Sequence, residues 1–414
     1  MESGRTPLPF LAVVVAAGIS LGWLFAGAGA AAEKKAGEGE QEAVDVGAIL
    51  EKASDYEACD DYEGARKILT EAREAPGGDA RVVVALAVVE LKMGAVKDAL
   101  GHLEEARKQG GDTAEVLLWS AAAQAAAGKK KQSSELLGAG LEAAGTDEVS
   151  LYDLAEKFLR SGAIGVSAPI YRKITEVYPT ESQFDIFSYL HLAAYYGLSG
   201  REGDAAEIFT RARRLFEYSD IDVILPQECD YLIGYFRGLA AIRAGDVEGG
   251  VNLLKDTAAR FPDGIVADAE VVRALDAAKK TAEADGAYAI AAGRLKDAVR
   301  AAPESSDAHH NMAVLSAASQ RNPEEGLAAC EWALRLAPLR PEYLETKAQL
   351  LSQLGRNEEA LVAIQRAMVL VSTPRWVEPF GYDSFVWRRL EILEKMGRGL
   401  PAAFKELPEA KTAK

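Results

Sequence analysis

Aromatic side chains are scarce in this chain, cysteine and histidine scarcer still, and basic residues are outnumbered by acidic ones. Only 7% of the 414 residues are Phe, Trp or Tyr, while 49% are apolar. The apolar share is therefore carried by Ala, Leu and Val, the side chains of close helix packing. The three cysteines, Cys59, Cys229 and Cys330, lie far apart and are odd in number. That excludes a disulfide framework and a multi-cysteine zinc site. Of the four histidines, His309 and His310 are neighbours and point about 100° apart on a helix, so they cannot grip one ion as an i, i+4 pair does. His102 and His191 have no carboxylate or histidine companion at ligand spacing. Lys and Arg number 47 against 63 Asp and Glu, a formal charge of -16. The basic footprint that tracks phosphates is missing, which argues against nucleic acid as a partner.

Catalytic strings are missing too. There is no phosphate-binding loop, dinucleotide fingerprint or H-E-x-x-H. A Gly-x-Ser-x-Gly string at Gly18 to Gly22 lies inside an apolar run and lacks the strand-to-helix elbow that makes its serine a nucleophile. Acidic neighbours Glu228 and Asp230 raise the thiol pKa expected for Cys229, which argues against a reactive thiolate. The sequence therefore predicts no catalytic residue, no metal and no cofactor.

What is present begins at the N-terminus. From Leu8 to Ala32 no charged residue interrupts the chain, a length sufficient to cross about 30 Å of hydrocarbon as a helix. A weakly positive start with Arg5, and small residues in A-x-A frames at Ala28, Ala30 and Ala32, fit either a cleaved secretory signal or a retained anchor over residues 1–32. The expectation is export, to a bacterial periplasm or cell envelope, with residues 8–32 holding the chain in the inner membrane if uncleaved. Residues 33–45 read as a charged, flexible spacer.

Beyond Val46 the chain repeats. A turn residue recurs at Asp60, Gly94, Gly128 and Gly162, every 34 residues. Five residues later stands a small residue (Ala65, Ala99, Ser133, Ser167), and four further a large apolar one (Leu69, Leu103, Leu137, Tyr171). The spacing continues from Gly200, Gly245 and Gly286, then through Gly326, Cys330 and Ala333, and from Gly355. Each copy predicts two helices of about 14 residues around a tight turn. Glycine suits the turn because a helix C-terminus wants a residue that enters the left-handed region without a Cβ clash. Pro303 and Pro338 fall twelve residues after the small position and stop the second helix. One pair cannot bury its own apolar stripe, so stability comes from stacking. Longer joints, each extending a helix or inserting a loop, are expected at 220–230 and 265–271, and a capping helix with a tail at 375–414.

This pattern resembles the tetratricopeptide-repeat family over about nine repeats, residues 46–374. The most specific stretches are Leu354 to Met368 and Phe236 to Pro262. Departures are the replacement of the early aromatic of the first helix by Ile49, Val83, Leu117, Leu151 and His309, and Asp60 in place of a turn glycine. The resemblance implies an all-α, right-handed superhelical solenoid of stacked antiparallel helix pairs, with a concave side lined by the first helices that binds a protein or peptide. The faces comparable to a carboxylate clamp are apolar here, so that mode of binding is not expected.

Twelve of the 31 aromatic residues fall between Tyr178 and Phe236. They read either as filler for a long joint or as an apolar recognition patch. The candidate partner-binding residues are Phe187, Leu190, Leu232, Tyr235, Phe236 and Leu239, with Leu118 and Trp119. The functional expectation is a non-catalytic exported scaffold or adaptor in an envelope or secretion-linked assembly. The alternative is a regulatory or substrate-recruiting subunit for an enzyme on another chain.

Overall fold

The computed structural model describes residues 45–75, 79–178, 183–216, 226–261, 264–371 and 382–408. The export segment expected over residues 1–32, the spacer expected over 33–45 except Asp45, which caps α1, the Gly-x-Ser-x-Gly string and most of the joint at 220–230 lie outside them. Among the described residues, regular structure consists of nineteen α-helices and one short 3-10 turn. No helix among them is long and apolar enough to cross a membrane.

Eighteen helices form nine antiparallel pairs. They are α1 (Val46–Ala58) with α2 (Tyr62–Glu74), α3 (Ala80–Lys92) with α4 (Val96–Gly110), and α5 (Ala114–Ala126) with α6 (Lys130–Ala143). Then come α7 (Glu148–Arg160) with α8 (Ile164–Val177), α9 (Gln183–Leu198) with α10 (Glu202–Phe216), and α11 (Pro226–Arg243) with α12 (Val247–Arg260). The last three are α13 (Ile265–Ala277) with α14 (Thr281–Ala301), α15 (Ser306–Ser319) with α16 (Pro323–Leu336), and α17 (Pro341–Gln353) with α18 (Asn357–Val371). A final helix, α19 (Tyr382–Lys395), precedes the 3-10 turn Ala402–Phe404.

The turn chemistry explains the pairing. In every pair the connecting turn holds a left-handed residue, Asp60, Gly94, Gly128, Gly162, Gly200, Gly245, Lys279, Gln320 and Gly355 in turn, and the eighth holds a second at Asn322. The amide after it donates back into the first helix, as from Ala163 to the Phe158 carbonyl at 2.9 Å and from Lys280 to that of Leu275 at 2.9 Å. This satisfies carbonyls that the helix end would otherwise leave open.

Two expectations are corrected here. The turn of the seventh pair is at Lys279, and Gly286 lies inside the 21-residue α14. The two positions differ by seven residues, close to two helical turns, so the pattern counted from Gly286 reads the same face of α14. Residues 265–271 are not a joint but the first half of α13.

The small and large positions pack as the spacing predicts. Ala65 and Leu69, Ala99 and Leu103, Ser133 and Leu137, and Ser167 and Tyr171 are all buried. Close approach sets the size limit in the sixth pair: a Cβ on Gly250 would stand 2.6 Å from the Gly238 carbonyl oxygen.

The chain divides into two compact units between Ala143 and Ala144. In the unit of α1–α6, each helix packs on the next, and α3 touches both α1 and α5. In the unit of α7–α19, first helices again meet, α7 with α9, α13 with α15 and α15 with α17. There α19 does more than cap the last pair. It packs against α17 and α18 and also against α7, α8 and α9, and every residue from Asp383 to Leu393 is buried. The 3-10 turn sits on α8, where a Cβ on Gly165 would meet the Glu406 backbone nitrogen at 2.5 Å.

Candidate partner-binding face

The first helices carry the residues that the sequence points to as a binding patch. Seven of the eight, Leu118, Trp119, Leu190, Leu232, Tyr235, Phe236 and Leu239, are buried within the folded chain, and Phe187 is partly exposed. This corrects the reading of them as a free apolar patch. The physical reason is that the rings pack on one another. Phe236 stacks on Phe209 with centroids 5.8 Å apart and meets Tyr235 edge-on at 5.0 Å. Tyr231 stacks on Tyr235 at 6.1 Å and meets Phe261 edge-on at 5.7 Å. Seven of the nine described aromatic side chains between Tyr178 and Phe236 are buried, Tyr178 and Phe187 being the two that are not. Leu118 in turn lies against Gly140, within 3 Å of where a Cβ would stand.

In the unit of α7–α19 the inner helices instead meet α19 through two polar clusters. The first surrounds His191 on α9. Its Nδ1 lies 2.5 Å from Oδ2 of Asp383 on α19. Its ring stacks on Tyr171 of α8 at 4.6 Å. Its Nε2 is 3.5 Å from both Glu156 Oε1 and the Tyr152 hydroxyl on α7, and the Tyr171 hydroxyl donates to Glu156 at 2.7 Å. Burial disfavours the imidazolium, but the Asp383 carboxylate, its hydrogen bond and Glu156 outweigh that, so the His191 pKa is raised. Burial also raises the Asp383 pKa, against the pull of His191.

The second cluster lies between α17 and α19. Arg388 donates from Nη1 to Glu391 Oε2 at 2.7 Å, and its Nε stands 3.9 Å from Glu345 Oε1. Burial pushes the Glu345 carboxyl up to about 7, opposed by Arg388 and reinforced by Glu391. Chain spacing gave His191 no carboxylate companion, because Asp383 is 192 residues away. The same holds for His102, whose Nδ1 is 2.7 Å from Glu90 across the second pair.

These groups tie helices together across α7, α8, α9, α17 and α19. His191 and Asp383 are closed off from solvent, and no serine or cysteine nucleophile appears in the contacts described for them. Burial pushes the thiols of Cys229 and Cys330 up to about 12. No group of three potential ligands able to hold a metal ion occurs among the described residues. His310 is buried against Tyr343, with Nε2 2.9 Å from the Thr346 hydroxyl, and burial pushes its pKa down to about 3.

Nine helix pairs, each closed by a left-handed turn residue and packed by a small-then-large register on the second helix, decide the assignment. The fold is that of a tetratricopeptide-repeat protein. No family profile and no curated protein matches the sequence. Among solved structures, yeast Tom70 is similar at 13% identity over 85% of this chain and 88% of its own, with a TM-score of 0.30. A tetratricopeptide repeat protein from Parabacteroides merdae is 12% identical over 74% of this chain and 98% of its own, with a TM-score of 0.31. A thermophilic one from Thermus thermophilus is 21% identical over 51% of this chain and 98% of its own, with a TM-score of 0.32. Superpositions this loose add nothing to the assignment, which rests on the turns and the register of the tetratricopeptide-like pairs themselves.

Proposed function

We propose that this chain is a non-catalytic interaction scaffold that binds a protein or peptide partner and works after export, in an envelope or secretion-linked assembly. One observation carries the reading. The first helices α7, α9 and α17, with the neighbouring α8 and α18, receive a whole helix, α19, and bury even its charged side chains against matching groups. A stack of helix pairs that accepts a helix in this way is built for helix recognition, with side-chain pairs giving register. Export is supported by the uncharged run from Leu8 to Ala32, which is long enough to enter a bilayer. The alternative, a regulatory or recruiting subunit for an enzyme on another chain, uses the same surfaces.

Crosslinking followed by pull-down of the full chain, from membrane and soluble fractions separately, tests partner and anchoring together. A stoichiometric crosslinked protein is expected. Recovery of free monomer alone from both fractions overturns the scaffold reading, and co-purified catalytic activity selects the regulatory alternative. N-terminal sequencing of the mature protein distinguishes a cleaved signal from an anchor: a start near Ala31 or Glu33 rules out the anchor.

A further inference from the structure

With the inner row of the α7–α19 unit occupied by α19, exposed apolar side chains on the second helices stand out. Trp332 (44% exposed) and Leu336 (40%) lie in the last turns of α16, and Leu339 (57%) follows in the next turn. On α18, Val362 (65%) and Val369 (60%) stand one turn either side of Arg366. The two sets are neighbours, since Arg366 Nη2 reaches the Pro338 carbonyl oxygen at 3.4 Å. Positions 362, 366 and 369 form one stripe of α18, as 332 and 336 do on α16. Two apolar ridges with a furrow between them are the surface against which another helix stacks.

Charge gives the occupant. The stretches Trp332 to Pro341 and Ala360 to Pro374 contain no Asp or Glu, in a chain with 63 of them. Arg335 lies over the Trp332 ring at 4.3 Å, and the described contact of Arg366 is to a carbonyl. Neither guanidinium is engaged by a carboxylate among the described residues. By contrast, nearby Arg340 is held by Glu342 and Asp307, and Arg356 by Glu359. Among the described residues, then, two guanidiniums without a carboxylate partner stand beside five exposed apolar side chains, with the flanking Glu331 and Glu359 paired to Lys347 and Arg356.

We propose that the outer face of α16 and α18 is a second docking surface, which takes an acidic amphipathic helix of a partner protein. The partner's apolar stripe stacks in the furrow between Trp332, Leu336, Val362 and Val369, and its carboxylates pair with Arg335 and Arg366. Arg is suited to this because its planar fork grips a carboxylate while its stem covers apolar surface. The proposal rests on the scaffold reading and adds to it a surface and a partner chemistry.

The test uses the full chain and a fluorescent model helix of roughly 18 residues, about five turns, with leucines along one face and glutamates on the other. A matched peptide with lysine for glutamate is the control. The glutamate peptide is expected to bind, with affinity falling at least tenfold in the Arg335→Glu, Arg366→Glu double variant and on raising salt from about 50 to 500 mM. Trp332→Ser is expected to weaken binding also, whereas Arg300→Glu, elsewhere on the surface, is not. All these positions are exposed, so folding is preserved and circular dichroism verifies it. Equal binding of the two peptides, or no effect of the double variant, overturns the proposal. So does a patch-dependent association with phosphatidylglycerol vesicles, or self-association lost in the double variant, where the glutamate peptide does not bind. If the double variant still crosslinks its cellular partner as wild type does, this surface is refuted and the scaffold reading stands. If wild type captures no partner while the peptide still binds at the patch, the scaffold reading fails instead.

Discussion

Replacing Glu345 by Gln is expected to stabilise the protein at alkaline pH and to leave it nearly unchanged at acidic pH. Glu345 is buried on α17, and its carboxyl is pushed from an ordinary 4.5 to about 7. A carboxyl raised on folding means that the folded state holds a proton the unfolded chain releases. Stability is then full below about 4.5 and is lost as pH rises towards and past 7. At about 1.4 kcal/mol for each pH unit between the two values, ionised Glu345 costs the fold about 3 kcal/mol at pH 8. Glutamine keeps the shape and removes the charge, while Arg388 retains Glu391 at 2.7 Å and is not left without a counter-charge. Thermal unfolding at pH 5 and pH 8 reads the outcome. The variant should melt within about 2–3 °C of wild type at pH 5 and about 5–10 °C higher at pH 8, given a body of about 250 residues. An equal shift at both pH values, or a variant less stable than wild type at pH 8, refutes the idea that a desolvated carboxylate is held there against its solvation cost.

Other outcomes follow from the same contacts. Lys279 adopts a left-handed φ of 60°, so Lys279→Gly should raise stability by about 0.5–1 kcal/mol, whereas Gly162→Ala, at φ 88°, should lower it by about 1 kcal/mol or more in urea melts. His310 is buried neutral, with its pKa pushed down to about 3. The unfolded chain gains a proton there first, so stability should fall as pH drops from about 6.5 towards 3, and His310→Leu should flatten that part of the pH–stability curve. Gly165→Ala places a methyl 2.5 Å from the Glu406 backbone nitrogen; overpacking of about 1–3 kcal/mol should free the C-terminal turn to proteases, and unchanged cleavage there would count against the docking of that turn on α8. At pH 8 iodoacetamide should modify exposed Cys59 in the native protein and spare Cys229 and Cys330, whose thiols are held near 12; mass spectrometry of tryptic peptides distinguishes them.

Several parts of the architecture were legible residue by residue. Turn residues at Gly94, Gly128 and Gly162 mark conformations in which a Cβ is a steric penalty, so the signal is local and survives without knowledge of the fold. The Gly286 misplacement has an equally local origin: seven residues are two turns, and a pattern shifted by two turns falls on the same face. The candidate binding patch was less legible. An apolar face on a first helix looks the same in sequence whether a partner or the chain's own neighbours cover it, and Phe209, Phe236 and Tyr235 turned out to cover one another. The division at Ala143 also left no trace in the register, because the step from Gly128 to Gly162 crosses it unchanged.

By itself, then, the sequence determined helix pairs, their turns, their small-then-large packing and the absence of any catalytic string, all properties set within a span of about one repeat. Tertiary structure alone decided what the inner row holds. Asp383 meets His191 across 192 residues, on the same helix whose Arg388 faces Glu345 of the nearby α17. No period foretells such pairs, because they depend on accumulated stacking that brings α19 back to α7, α8 and α9. Burial then sets their protonation, lifting Glu345 to about 7, since desolvation is a property of the assembled interior and not of any residue in the string.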